Sequence, residues 1–138
     1  MEEKTQAPAA DPSVNPLDLL ADLGVNLSRW GIRHIFKYHG AHAPGWNGRF
    51  AAQYLSEPAM TGLLATCMNE AELARERRWP ETYDRWARHI TYCTRKGVGT
   101  VTLDGVNWVL TDRFMVVTDR VRTAWGVEHD VVSAYPIP

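Results

Sequence analysis

An α+β fold is predicted, in which N-terminal helices pack on a C-terminal antiparallel sheet. Apolar residues in the first part of the chain recur at steps of three or four, which is helical spacing. From Gly99 onward the pattern changes to alternation, which is typical of half-buried strands. Helices followed by a meander of strands are the order expected of an α+β domain. The chain has 138 residues, of which 45% are hydrophobic, so one globular domain is expected.

This domain is predicted over residues 15–138, after a disordered tail at residues 1–14 that is rich in Ala, Pro and charge. No apolar run approaches the ~18 residues that a membrane helix needs, and the acidic start is unlike a signal peptide. We therefore expect a soluble chain without a membrane segment. The formal net charge of −1 gives no basis for non-specific nucleic-acid binding, although it is compatible with a local phosphate pocket.

Between residues 16 and 40 the sequence predicts two short helices, because Gly24 and Gly31 interrupt one apolar stripe. In the second helix His39 continues the apolar face of Ile35, so its ring is expected to point towards the sheet. Gly40 is expected to end that helix.

Further along, the pattern predicts three more helices and then five short strands. The helices are expected at residues 49–55, 69–78 and 80–96, the last with Pro80 in its first turn. The strands are expected at residues 99–103, 106–110, 113–118, 121–125 and 131–135. Asp104-Gly105 predicts a hairpin turn, and Thr111-Asp112-Arg113 and Thr118-Asp119-Arg120 are interpreted as strand ends.

Two histidines on the second helix suit proton transfer near neutral pH. His39 is the first candidate for a general acid or base. His34 is a candidate second proton carrier, although it lies roughly 140° around the helix from His39. A structural interpretation of His39 stays open, in which the imidazole is held at the helix C-terminus by the helix dipole.

The last predicted strand carries two hydroxyls, Ser133 and Tyr135, two residues apart and therefore on one face together with Val131. Arg49 supplies a permanent cation with the geometry to bind phosphate. Metal-free cleavage of RNA needs a base, an acid and donors that stabilise the charged transition state, and these residues supply each of them.

The remaining candidates concern substrate and cysteine chemistry. Trp46 is expected in a loop, where it could stack on a base, and Arg122 is the candidate for lining an RNA groove. Cys67 and Cys93 match no metal or redox spacing and are expected as buried thiols rather than a disulfide. No motif for a metal or another cofactor occurs in the sequence.

Taken together, the segment from His34 to Gly40, Arg49, and the terminal Ser133-Ala134-Tyr135-Pro136 resemble the RNase A-like C-terminal toxin domains of bacterial contact-dependent inhibition and related polymorphic toxin systems. The resemblance spans roughly residues 30–138 in order and spacing. The chain departs from that pattern in two places. Ser133 stands where Thr is commoner, and Gly40 follows His39 without an intervening residue.

The resemblance implies a kidney-shaped α+β ribonuclease toxin that cleaves RNA, including tRNA, to a 2′,3′-cyclic phosphate without a metal. It implies His39 as acid or base, Arg49 as phosphate clamp, and Ser133 with Tyr135 as the hydroxyl pair. It also implies a cognate immunity protein, delivery by a specialised system and action in the target-cell cytoplasm. Two alternatives stay open, namely a ribonuclease of the barnase, EndoU and RelE type, and a non-catalytic binding module or inhibitor protein.

Overall fold

The computed structural model describes residues 15–40, 48–75, 82–83 and 88–138. The helices in these ranges are α1 (Pro16–Asp22), α2 (Arg29–His39) and α3 (Glu57–Arg75), and a 3-10 turn covers Ala52–Tyr54. The strands are β1 (Val25–Asn26), β2 (Gly48–Phe50), β3 (Thr82–Tyr83), β4 (His89–Val101), β5 (Val109–Thr123) and β6 (Gly126–Ile137). None of the helices in the described ranges is long and apolar enough to cross a bilayer. The predicted tail at residues 1–14 lies outside them.

The strands form one mixed sheet in the order β1-β6-β5-β4-β2, with β3 paired to β4. β4, β5 and β6 are antiparallel neighbours, whereas β1 joins β6 in parallel. The predicted α+β class is therefore confirmed. The parallel edge strand was not predicted, because two residues are too few to show an alternating pattern.

The core lies between the helices and one face of the sheet. α3 packs on α1 and on β4, while α2 packs on β6. The pairing of β5 with β6 places Val116 and Ala134 side by side on this face, and both are fully buried. Each large apolar side chain buried here contributes roughly 1.5–3 kcal/mol of transfer free energy. The largest fully buried side chains include Phe50, Phe114, Leu20, Ile35, Met60 and Leu64.

The prediction of two short helices at the start is confirmed. α1 ends before Gly24, which has a positive φ of 73°, and α2 ends at His39 with Gly40 as its C-cap. Ser28 begins α2, because its hydroxyl accepts a hydrogen bond from the Gly31 amide at 3.1 Å. His39 is consequently the last helical residue, in the position that the apolar stripe predicted.

The helix predicted at residues 80–96 is wrong where the structure describes it. Residues 89–94 belong to β4 and pair with residues 113–118 of β5. The β-branched and aromatic residues of this segment favour a strand. They outweigh the helical spacing of the sequence pairs Glu81/Arg85 and Asp84/Arg88, on which the predicted helix also depended. Cys93 is buried while its neighbour Tyr92 is half exposed, which is the alternation of a strand.

The helix predicted at residues 49–55 is also wrong. Its residues divide between β2 and the 3-10 turn. The helix predicted from Asn69 is the second half of α3, which starts earlier because Pro58 lies in its first turn rather than ending a preceding helix. The Ser56 hydroxyl accepts a hydrogen bond from the Ala59 amide at 3.2 Å and so marks the start.

The five predicted short strands are three long ones in the structure. A hairpin at Asp104-Gly105 is confirmed, but residues 102–108 form a longer connection in place of the predicted two-residue turn. The Asp104 carboxylate accepts hydrogen bonds from the Val106 and Asn107 amides at 2.8 Å. The two tripeptides that were interpreted as strand ends lie inside β5. β5 contains neither Gly nor Pro, and therefore nothing in its sequence interrupts the pairing.

A β-bulge at Val132 changes which residues of β6 face the core. Val131 pairs with Thr118 and Ser133 with Val117, so Val132 is the extra residue. Val131 and Ala134 are both buried in the core although they are three residues apart. The prediction that Val131 shares a face with Ser133 and Tyr135 is therefore wrong, whereas Ser133 and Tyr135 do share one.

Candidate active site

The C-terminal end of α2 and the last strand, β6, meet at one stacked pair of rings. His39, at the end of α2, lies with its ring centroid 5.1 Å from that of Tyr135 on β6, at an interplanar angle of 30°. The His39 side chain is only 6% exposed. A histidine and a phenol that are 96 positions apart in sequence are thus held face to face by the packing of α2 on β6.

The His39 ring is oriented by the backbone of β2. Its Nδ1 lies 3.4 Å from the carbonyl oxygen of Gly48. A carbonyl can only accept, so Nδ1 carries the proton and donates it in this hydrogen bond. Nε2 therefore keeps its lone pair, which is the form in which an imidazole acts as a base.

The position of Gly48 depends on unusually close backbone contacts. A Cβ added at Gly48 would collide with the carbonyl oxygen of Pro136, the residue after Tyr135. A Cβ at Gly99, which pairs with Phe50 on β2, would collide with the Arg49 carbonyl oxygen and with the Pro136 ring. Two glycines thus let β2 lie against the end of β6, which brings the Gly48 carbonyl to His39.

The electrostatic environment makes His39 a neutral imidazole at physiological pH. Burial lowers the pKa of His39 from 6.5 to about 4, against the opposing effect of the hydrogen bond to Gly48. Positive charge on His34 contributes to this lowering of the pKa. At pH 7 the ring is neutral, with its one proton on Nδ1, so Nε2 can accept a proton.

This pKa shift predicts a pH dependence of stability. Between pH 6.5 and pH 4 the unfolded chain protonates His39 and the folded chain does not, so the free energy of unfolding decreases as the pH falls through this window. The loss attributable to His39 is at most about 3 kcal/mol. Urea unfolding at pH 7 and pH 4.5 measures it, and His39→Asn, which cannot titrate, should show a weaker dependence. An unchanged pH dependence in His39→Asn would contradict the assignment.

His34 lies on the flank of α2, away from the Tyr135 stack. Its ring packs between Trp30, at a centroid distance of 5.5 Å, and Tyr38, at 4.7 Å. Burial lowers the pKa of His34, and the charges of Lys37 and Arg88 lower it further. The charge of His34 affects His39, but the two rings are not stacked on each other. His34 is the more exposed of the two histidines.

Ser133 lies on the same face of β6 as Tyr135, two residues before it, and is half buried. This face is the one opposite Ala134, and β5 contributes Val117 and Met115 to it as direct partners. The predicted hydroxyl pair is therefore assembled on one surface of the sheet, with His39 stacked on one member of it.

Arg49 follows the residue whose carbonyl contacts His39, yet its side chain makes a different contact. The guanidinium carbon lies 3.9 Å from the centroid of the Trp108 ring, which is a cation–π geometry. Arg49 pairs with Thr100 of β4, in the part of the sheet where β2 joins it. The structure thus brings the Arg49 backbone to the site and places its head group on Trp108.

Arg122, one of the two predicted substrate contacts, does not lie at the stack. Arg122 is exposed near the β5–β6 hairpin, where it pairs with Val127. Its side chain lies on the same face of the sheet as Thr118, which is the face opposite to that of Ser133. Trp46 lies outside the described residues. Cys67 and Cys93 are buried free thiols, as expected, and burial raises the pKa of both.

Residues that the sequence did not indicate include Gly48, Gly99 and Trp108. A glycine required by close approach leaves no periodic signal, and only its poor strand propensity could have drawn attention to it. Comparisons with models of protein families, with curated proteins and with solved structures found no match.

Proposed function

We propose that this chain is a metal-independent endoribonuclease that cleaves RNA, including tRNA, by attack of the 2′-hydroxyl on the adjacent phosphate. The observation that carries the proposal is the stack of His39 on Tyr135, with Nδ1 of His39 bonded to the Gly48 carbonyl. This arrangement supplies an oriented, neutral base next to a phenolic donor, which are two of the groups that the reaction requires.

In this mechanism Nε2 of His39 removes the proton of the 2′-hydroxyl, and the 2′-oxygen forms a new bond to phosphorus. The bond from phosphorus to the 5′-oxygen breaks, and the leaving oxygen takes a proton from water, to which Nε2 of His39 then returns the proton that it removed. The products are a 2′,3′-cyclic phosphate and a 5′-hydroxyl. Tyr135 and Ser133 donate hydrogen bonds to the phosphate oxygens as their negative charge grows in the transition state.

We further propose an RNase A-like, kidney-shaped fold and a role as a toxin with a cognate immunity protein, delivered by a specialised system to act in a target cell. Two features support the fold. The pairing of β4 with β5 is irregular between Thr94 and Gly99, and such irregularities bend a sheet. β2 closes on the end of β6 at Pro136, so the sheet curves towards itself.

The purified chain should cleave tRNA and total RNA in the presence of EDTA and leave 2′,3′-cyclic phosphate ends. A matched RNA with 2′-O-methyl groups should resist cleavage, because it has no attacking hydroxyl. Cleavage that requires a divalent metal, or products with a 5′-phosphate, would contradict the mechanism. Intact RNA after prolonged incubation would favour the alternative of a non-catalytic binding module or inhibitor.

Tyr135→Phe should lower the rate of RNA cleavage by roughly 10- to 100-fold, because the variant keeps the ring that stacks on His39 and loses one donor to the transition state. The melting temperature should change by only a few degrees. Initial rates on a fluorogenic oligoribonucleotide, with Tyr92→Phe as the matched control on β4, measure the effect. A rate equal to that of the wild type would remove Tyr135 from the mechanism.

A further inference from the structure

The outward side of α2 carries a regular arrangement of aromatic and basic residues that catalysis does not use. Trp30, His34 and Tyr38 recur every four residues and form a continuous ladder of rings. Arg33 and Lys37 follow Trp30 and His34 by three residues each, which places every cation beside a ring on the helix surface. The rise between successive rungs is about 6 Å.

The exposed Trp30 end of this side is not explained by packing. The buried residues of α2 are Gly31, Ile32, Ile35 and His39, whereas Arg33 and Lys37 are exposed and His34 and Tyr38 are half buried. Trp30 is 64% exposed, so burial cannot be the reason for a tryptophan at this position. Ring pairs four residues apart stabilise a helix by only about 0.2–0.5 kcal/mol, and this does not account for the interleaved cations.

The charge of α2 points to an anionic partner. Its eleven residues include three bases and no acid, in a chain whose net charge is −1. Arg29 forms a surface ion pair with Glu57 at 3.8 Å. The positive charge along the ladder comes from Arg33 and Lys37 of α2, and Arg88 adds charge that acts on His34. Lys37 also lies 5.3 Å from the centre of the Tyr38 ring, so cation and ring form one surface.

The ladder ends one residue before His39 of the candidate active site, at a position about 100° around the helix from it. Tyr38 immediately precedes His39, and charge on His34 is felt at His39. Exposed rings that stack bases, together with cations that contact the backbone, are the chemistry by which proteins bind single-stranded RNA. Duplex RNA keeps its bases stacked inside the helix, and therefore it cannot use such rings.

On the basis of the proposed ribonuclease function, we propose that Trp30, Arg33, His34, Lys37 and Tyr38 form a binding track for a single-stranded segment of the substrate RNA. Bases stack on the ladder from its exposed Trp30 end, and the backbone runs along Arg33 and Lys37. The phosphate that is cleaved lies beyond Tyr38, at His39 and Tyr135. The substrate is thus an RNA with an unpaired region of several nucleotides beside the cleavage site.

The test is the binding of a fluorescein-labelled, single-stranded 2′-O-methyl RNA of about eight nucleotides to the full chain, followed by anisotropy. Trp30→Ala should weaken binding roughly 5- to 100-fold, because stacking on one aromatic side chain is lost. Trp125→Ala is the matched control, because Trp125 is 93% exposed on the β5–β6 hairpin, and it should bind as the wild type does.

A second variant tests the cations. Arg33→Gln combined with Lys37→Gln should reduce the slope of log K against log salt by about 1.4, because two backbone contacts to a single strand are lost. Arg120→Gln, an exposed arginine of β5, should leave the slope unchanged. Equal melting temperatures of the variants and their controls establish that α2 is still folded.

Three results would each overturn this proposal. They are unchanged binding by Trp30→Ala, equal affinity for a duplex of the same sequence, and binding of anionic vesicles in place of RNA. The probe cannot be cleaved, so this result is independent of catalysis. If the chain binds RNA through Trp30 but never cleaves it, the binding track stands and the ribonuclease function is refuted. If the chain cleaves RNA but Trp30→Ala binds as well as the wild type, the ribonuclease function stands and the binding track is refuted.

Discussion

His39→Asn should lower the rate of RNA cleavage by about 10²- to 10⁴-fold while the chain remains folded. The asparagine amide can take the place of Nδ1 and donate to the Gly48 carbonyl, so the contact at 3.4 Å has a substitute. It has no lone pair where Nε2 was, and the proton of the 2′-hydroxyl has no acceptor. Initial rates in EDTA measure the loss.

His129→Asn is the matched control, because it makes the same chemical change on β6 outside the stack, where His129 contacts the His89 ring at 4.7 Å. It should retain cleavage. If His39→Asn cleaves as fast as the wild type, His39 is not the base. If His39→Asn instead unfolds, and the variant cleaves RNA at lower temperatures where it is folded, then His39 has the structural role that the sequence analysis left open.

Gly48→Ala should lower the free energy of unfolding by about 1–3 kcal/mol and should also abolish cleavage. The new Cβ would meet the backbone carbonyl of Pro136, which no change of side-chain rotamer can move aside. β2 must then shift away from β6, and the Gly48 carbonyl leaves His39. The loss is a large fraction of the 5–15 kcal/mol that stabilises a typical domain. Urea unfolding at pH 7 measures it.

Gly62→Ala is the matched control for this substitution. Gly62 lies within α3, and a Cβ added there meets nothing within 4 Å. The same chemical change should therefore stabilise the chain by roughly 0.5–1 kcal/mol, because alanine favours a helix. If Gly48→Ala is as stable as the wild type, the close approach of β2 to β6 does not hold.

The sequence was informative where a local pattern decides the structure. The spacing of Ile32, Ile35 and His39 predicted both the end of α2 and the inward direction of the His39 ring, because a helical stripe is a local property. The two-residue spacing of Ser133 and Tyr135 predicted a shared face for the same reason.

Other features depend on contacts between distant segments, and the sequence could not predict them. The acids and bases of residues 81–88 carry helical spacing, whereas residues 89–94 contain β-branched residues, and the pairing with β5 decides in favour of a strand there. The bulge at Val132 follows from fitting β6 to β5 and has no signal of its own. The contact of Arg49 with Trp108 joins two segments 59 positions apart.

The most direct measurement is an NMR titration of the chain with a dinucleotide whose 2′-hydroxyl is replaced by hydrogen, which can bind but cannot react. We expect the ring resonances of His39 and Tyr135 to shift together with one dissociation constant, because both rings contact the same phosphate. Ring resonances that stay unchanged for both residues at saturation, or that titrate with different constants, would contradict a shared phosphate site.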